Sequence, residues 1–215
     1  GDVRAIRSRR DLRRVNWIMG NARLVARELA RLLPREGTLR IADLGAGDGA
    51  LSFAVARRLA RPRVRLALVD RAPVVHSATL ERLAALGWHA SIAASDVFDF
   101  LALPGAPFDA IFVNLFLHHF DDAALARLLA LVAAHGRVLV ACEPRRSRFA
   151  LAGSRLLWAL GCNDVTRHDA LASVRAGFTG GEITALWPER HGWRLVERAA
   201  PPFSHLFVAC AATRS

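Results

Sequence analysis

The stretch Ile41–Ala50, IADLGAGDGA, decides how this chain folds. A short apolar run precedes its glycines, and ALSFAVARRL, which follows them, carries a helical pattern. Gly45, Gly47 and Gly49 thus stand between a strand and a helix, where a backbone without Cβ atoms turns tightly and lets a ligand approach. In an open α/β sheet, ligands bind beyond the carboxyl ends of the strands at the point where strand order reverses. The spacing is G-x-G-x-G and not the G-x-G-x-x-G of dinucleotide binding, which disfavours a nicotinamide-dependent oxidoreductase.

Outward from this turn the chain alternates. VRLALVD (Val64–Asp70) reads as a strand, PVVHSATLERLAALG as a helix, WHASIAA as a strand and FDAIFVNLFL as the start of another. DDAALARLLALVAAHG has an acidic start and a glycine stop, and RVLVAC is a further strand. Strands that are nearly continuous in apolar residues and separated by helices predict a mostly parallel sheet with helices on both faces. Ahead of it, apolar residues from Leu12 to Leu33 recur at helical spacing. At the other end WRLVERAA, PP and FSHLFVACA predict an antiparallel strand pair. The expected architecture is one Rossmann-like α/β domain over 1–215 with a seven-stranded sheet, an N-terminal helical cover (1–36) and a helical cap insertion (143–192).

Composition narrows the function classes. The chain has 215 residues, 53% of them apolar, enough for a substantial core and too apolar for a disordered chain. The net charge is +11, and every one of the 30 basic residues is Arg. With Lys, Tyr and Gln absent, the charge reads first as the composition of a GC-rich genome and only then as attraction to anions. Cys142, Cys162 and Cys210 are three and widely spaced, so neither a disulfide framework nor a zinc site is indicated; no metal is expected and reduced, cytoplasmic thiols are the default. The Arg-rich start has no apolar core of a secretory signal, and the leading Gly1 suggests a trimmed beginning. AALARLLALVAAHGRVLVAC contains Arg127, His135, Gly136 and Arg137 and reads as helix, turn and strand, not as a membrane span.

Polar groups fall at successive strand ends: Asp43, Asp70, Asp96 in SDVFD, and Asn114. Asp70 stands where a carboxylate can accept from both hydroxyls of a ribose. Four such groups around a glycine turn indicate a ligand site.

At these residues the sequence resembles class I S-adenosylmethionine-dependent methyltransferases, the ubiquinone/menaquinone-biosynthesis-type small-molecule subgroup above all. DLGAGDGALSFAVAR resembles their first motif, VDRA their ribose-binding acid, SDVF their adenine-side acid, and FDAIFVNLFLHHFDD their fourth motif. The resemblance is strong over residues 38–142 and weaker at the closing strand pair. It implies S-adenosylmethionine as cofactor, with Asp43, Gly45, Ala46, Gly47 and Gly49 at the methionine part. Asp70 and Arg71 would lie at the ribose, Asp96 and the Val97 backbone at the adenine, and Asn114 beside the sulfonium and the acceptor.

His118 and His119 in LHHFDD are the candidate general bases, because imidazole accepts a proton near neutral pH. Plant-type O-methyltransferases carry a catalytic His in a similar H-x-W-x-D stretch, onto which His118, Phe120 and Asp122 align with Phe in place of Trp. Asp121 and Asp122 read as a helix start and not as metal ligands. In the cap insertion Arg167 and His168, and near the N-terminus Asn16 and Trp17, are the candidate acceptor-binding residues; an Arg there would receive an anionic group. The expected function is methyl transfer to a small aromatic, phenolic or polyketide-like acceptor, O-methylation ahead of C-methylation. A nucleic-acid methyltransferase is the alternative prompted by charge, but NLFL departs from the N/D-P-P-Y/F motif for exocyclic base amines. A non-catalytic S-adenosylmethionine-binding partner is a further alternative.

Overall fold

A computed structural model describes residues 19–155, 171–188 and 191–212. The elements run α1 (Asn21–Leu32), β1 (Leu39–Leu44), α2 (Ala50–Leu59), β2 (Val64–Asp70), α3 (Ser77–Ala84), β3 (Trp88–Ala94), α4 (Val97–Ala102) and β4 (Ala110–Asn114). A 3-10 turn, Leu117–His119, leads to α5 (Asp122–His135), β5 (Val138–Pro144) and α6 (Arg148–Arg155). Then come α7 (171–176), α8 (Glu182–Leu186), β6 (Trp193–Ala200) and β7 (Ser204–Ala211).

Seven strands form one sheet in the order β3-β2-β1-β4-β5-β7-β6. The first five are parallel, β7 lies antiparallel to β5, and β6 antiparallel to β7. The order reverses between β1 and β4, so the turn after β1 opens at the switch point. Because β7 runs antiparallel, its first residue, Ser204, sits beside Pro144 at the carboxyl end of β5.

Period-two alternation sorts the strands' side chains between two cores. Leu39, Ile41, Phe112, Val138, Val140 and Leu206 pack with Val25, Leu29 and Val55 of α1 and α2 on one face. Leu44, Ile111, Val113, Leu139 and Phe207 pack with α4, α5 and α8 on the other. Asp43 and Asn114 share the parity of the first face, Glu143 that of the second. α1 is therefore a layer of the core rather than a free flap. Its described start is Asn21, and the helical spacing read back to Leu12 lies outside the described residues.

Two acids start helices, one of them, Asp121, as the sequence predicts. Asp96 accepts from Phe98 N–H at 2.8 Å to begin α4, and Asp121 accepts from Ala124 N–H at 2.8 Å to begin α5. The most apolar stretch of the sequence resolves into α5, a glycine and the fully buried β5. Among the described residues no helix is long and apolar enough to cross a membrane.

Candidate active site

The turn after β1 is held by the end of β2. Gly45 and Ala46 donate their N–H groups to the Val69 carbonyl, and Gly47 N–H donates to Asp70 Oδ2 at 2.9 Å. The other Asp70 oxygen accepts from Ala72 N–H at 2.9 Å. Two backbone donors thus fix the carboxylate's plane, while lone pairs remain for a bound hydroxyl.

Gly45 and Gly47 are glycine for different reasons. Both have positive φ, 77° and 55°. A Cβ on Gly45 would also stand 2.5 Å from the Phe116 ring, whereas one on Gly47 would meet nothing within 4 Å. The Gly45 side of the turn is filled by the protein itself. The Gly47 side is an open backbone cradle.

Asp43 lies behind the turn, 2% exposed, and accepts a 2.5 Å hydrogen bond from Ser52 Oγ of α2. Burial pushes its carboxyl up to about 7, with the Asp70 and Asp48 charges adding and the Ser52 hydroxyl opposing. Arg71 and Asp96, read separately from the sequence, face each other, with Arg71 Nη1 3.5 Å from Asp96 Oδ2. Val97 is buried in the first turn of α4.

On the other side of the strand-order reversal, β4 ends at Asn114 and the chain turns sharply through Leu115 at a φ of 52°. The turn that follows is organised by Glu143, a fully buried acid in the otherwise apolar β5. Its Oε1 accepts from the N–H groups of Phe116 and Leu117, both at 2.9 Å. Its Oε2 lies 2.7 Å from His118 Nδ1 and 3.4 Å from His118 N. With Nδ1–H donated to this carboxylate, the Nε2 lone pair is the ring's acceptor. The His118 side chain is 3% exposed, and Nε2 is buried without a hydrogen-bond partner among the described residues.

The two adjacent histidines therefore differ. His119 is exposed at the surface of the turn, its ring 4.1 Å from that of His118. Partial burial, then the neighbouring His118, hold its pKa below the usual imidazole value. Of the two, only His118 has a carboxylate orienting it among the described residues.

Aromatic rings line the same edge. Phe116 meets Phe120 edge-on at 5.1 Å, Phe120 meets Phe98 at 5.8 Å, and Arg127 covers Phe98 at 4.8 Å. Asn114 is bound from the opposite face: Asn21 Nδ2 donates to its Oδ1 at 2.6 Å.

The structure brings Asp43, the glycine turn, Asp70, Arg71, Asp96, Val97, Asn114 and the His118 turn to the carboxyl edge of one sheet. Asn16, Trp17, Arg167 and His168 lie outside the described residues. Among those described, no cluster of three His, Cys, Asp or Glu side chains could hold a metal ion. Sequence reasoning missed Glu143, Ser52, Asn21 and Ser204. Glu143 left one trace, a charge ending an apolar strand; the other three carry no local mark.

A strand-order reversal, an open glycine cradle and acids at three neighbouring strand ends mark a ligand site on a Rossmann-like α/β fold. The model of the methyltransferase domain family matches residues 41–137. An uncharacterized methyltransferase of Mycobacterium bovis is 40% identical over 108 residues, 48% of this chain and 50% of that protein. The chain thus spans about half the length of the curated relatives it matches. Among solved structures, the pyocyanin biosynthetic protein PhzM superposes with a TM-score of 0.61 at 23% identity, over 93% of this chain and 58% of that one. The plantazolicin methyltransferase BpumL, solved with S-adenosylhomocysteine, superposes with a TM-score of 0.68 at 13% identity, over 96% and 90%.

The residues present fit S-adenosylmethionine. The cradle at Gly47 is open to a ligand, Asp70 offers a fixed carboxylate to a diol, and Asp43 places an ionisable acid behind a site for a cation.

Proposed function

We propose that this chain methylates a small-molecule acceptor, an aromatic, phenolic or polyketide-like compound, with transfer to oxygen favoured over carbon. The observation that carries the reading is the Glu143–His118 pair, 2.7 Å apart, where the turn after β4 meets the end of β5.

S-adenosylmethionine, when bound, supplies an electrophilic methyl on a sulfonium. Asp43, Gly45, Ala46, Gly47 and Gly49 would hold its methionine part, Asp70 and Arg71 its ribose, and Asp96 with Val97 its adenine. Asn114 would border the sulfur. Holding two reactants in line removes much of the barrier, about 7–11 kcal/mol in favourable cases.

The proton is handled by the chain. Glu143 keeps the Nδ1 proton of His118 and leaves Nε2 as the ring's acceptor; Nε2 is buried, so an acceptor hydroxyl gives it a proton only after displacing what covers it, and the carboxylate stabilises the imidazolium formed. The aromatic edges of Phe116, Phe120 and Phe98 suit a flat ring. An anionic acceptor would suit the arginines of the cap insertion, with Arg167 and His168, and Asn16 and Trp17, as the acceptor-contacting candidates.

The test incubates the protein with methyl-labelled S-adenosylmethionine and, in parallel, a phenol and enol panel, a carboxylic-acid panel and total RNA. Label is expected in a phenol or enol product. His118→Ala should then lower kcat by about 10²–10⁴-fold, the usual share of a general base, with cofactor Kd unchanged. Label in RNA alone, or full turnover without His118, overturns the reading.

A further inference from the structure

We infer that Asn21, the first residue of α1, is a positioning residue for the transfer site, acting through Asn114 with Ser204 as its anchor. This rests on the reading that places Asn114 beside the sulfur.

Three elements remote in sequence meet here. Asn21 Nδ2 donates to Asn114 Oδ1 at the end of β4 at 2.6 Å, and Asn21 Oδ1 accepts from Ser204 Oγ at the start of β7, also at 2.6 Å. Asn21 and Ser204 are both 0% exposed. An Asn at a helix start commonly spends its side chain on the local N–H groups. α1 instead starts at Gly20, in the left-handed region at a φ of 67°, with no side-chain cap. The amide of Asn21 is committed at both ends to tertiary partners.

That commitment has a direction. With Ser204 donating to one end, the other end is a donor, and Asn114 must turn its oxygen towards α1. Asn21 thereby holds the Asn114 oxygen turned towards α1. Ser204 is held in turn by the β5–β7 pairing, opposite Pro144 and next to Glu143 and its partner His205 in register. The frame that fixes Asn114 and the strand that carries Glu143 are thus built on the same β5 end.

The consequence is measurable without knowing the acceptor. S-adenosylmethionine and S-adenosylhomocysteine differ only by the methyl and the charge at sulfur, so a side chain bordering the sulfur alters the ratio of their affinities. A residue that merely supports the fold alters both equally. Calorimetric Kd values for the two ligands would be measured on the wild type, Asn114→Ala, Asn21→Ala, Ser204→Ala and the Asn21→Ala/Asn114→Ala pair.

Asn114→Ala and Asn21→Ala are expected to move the ratio in the same direction by about three- to tenfold, the size of one hydrogen bond. The double variant should move it no further than the larger single one, since both act through one amide. Ser204→Ala should give a smaller shift of the same sign, and decides the matter if Asn21→Ala does not fold. A shift in Asn114→Ala with none in Asn21→Ala and Ser204→Ala, or additive shifts, overturns the positioning role and leaves the proposed function standing. An unchanged ratio in Asn114→Ala overturns the placement of Asn114 at the sulfur, and this inference with it.

Discussion

Asp43→Asn should stabilise the ligand-free protein in alkaline solution and leave its stability in acid nearly unchanged. Asp43 is buried behind the glycine turn, and its carboxyl is raised from 3.8 to about 7, chiefly by burial. In the unfolded chain the group ionises near its ordinary value; in the folded chain it holds its proton until near neutrality. Between the two the unfolded state sheds a proton that the folded state keeps, so stability falls as pH rises from about 4 to about 7 and is level above. A shift of about 3 units corresponds to about 4 kcal/mol, an upper figure for the whole window. Asn has the same shape, still offers Ser52 Oγ an acceptor, and cannot ionise. The two proteins should therefore unfold alike near pH 4, and the variant should be the more stable at pH 8. For a chain of this length that is a difference in Tm on the order of 10 °C. Urea unfolding at pH 4, 6 and 8, followed by tryptophan fluorescence on both proteins, measures it. A stability difference that does not change with pH would refute the reasoning, since it would mean Asp43 titrates alike folded and unfolded. S-adenosylmethionine affinity should fall in the same variant, because the negative charge behind the cradle is gone.

Two neighbouring glycines should separate stability from binding. Gly45→Ala adds left-handed strain, about 1–2 kcal/mol, to a clash with the Phe116 ring, and should lower Tm clearly. Gly47→Ala carries only the strain but fills the open cradle, so its larger effect should be on cofactor Kd by calorimetry. Away from the site, Glu197 accepts from His205 Nε2 at 2.8 Å and from the N–H groups of Ile183 and Thr184. Burial would raise its pKa, but these hydrogen bonds outweigh it and the net shift is downward. Its stabilisation is present above pH 4.5 and lost as pH falls through the lowered value. Glu197→Gln should flatten the acid limb of the stability profile while leaving cofactor affinity unchanged. Asp121→Ala, which removes the α5 cap, should cost about 1 kcal/mol in urea unfolding.

Most of the architecture was legible because it rests on short-range rules. Alternation with a period of two or of 3.6 residues marked the strands and helices, Asp121 and Asp122 marked a helix start, and Gly136 marked a stop. The placement of the candidate cofactor residues was legible for a related reason: the glycines and the acids Asp43, Asp70 and Asp96 each sit at a strand end, a position that periodicity locates. The histidine pair was found but not divided, since adjacent residues in one turn have nearly the same sequence surroundings. Burial against β5 separates them, and it puts His118 on Glu143 and leaves His119 outside.

The sequence by itself determined the α/β class, the strand pair that closes the sheet and the edge where a ligand would bind. Tertiary structure alone decided which side chains work together there. Glu143 and His118 are 25 residues apart, Asn21 and Asn114 93, and Asn21 and Ser204 183. No periodicity spans such separations. Parallel strands must be joined by crossovers, and β7 returns antiparallel, so chain ends of distant origin arrive at one sheet edge. Once buried there, each polar group has to find a partner within hydrogen-bond reach. That requirement selected Glu143 for His118 and Asn21 for Asn114.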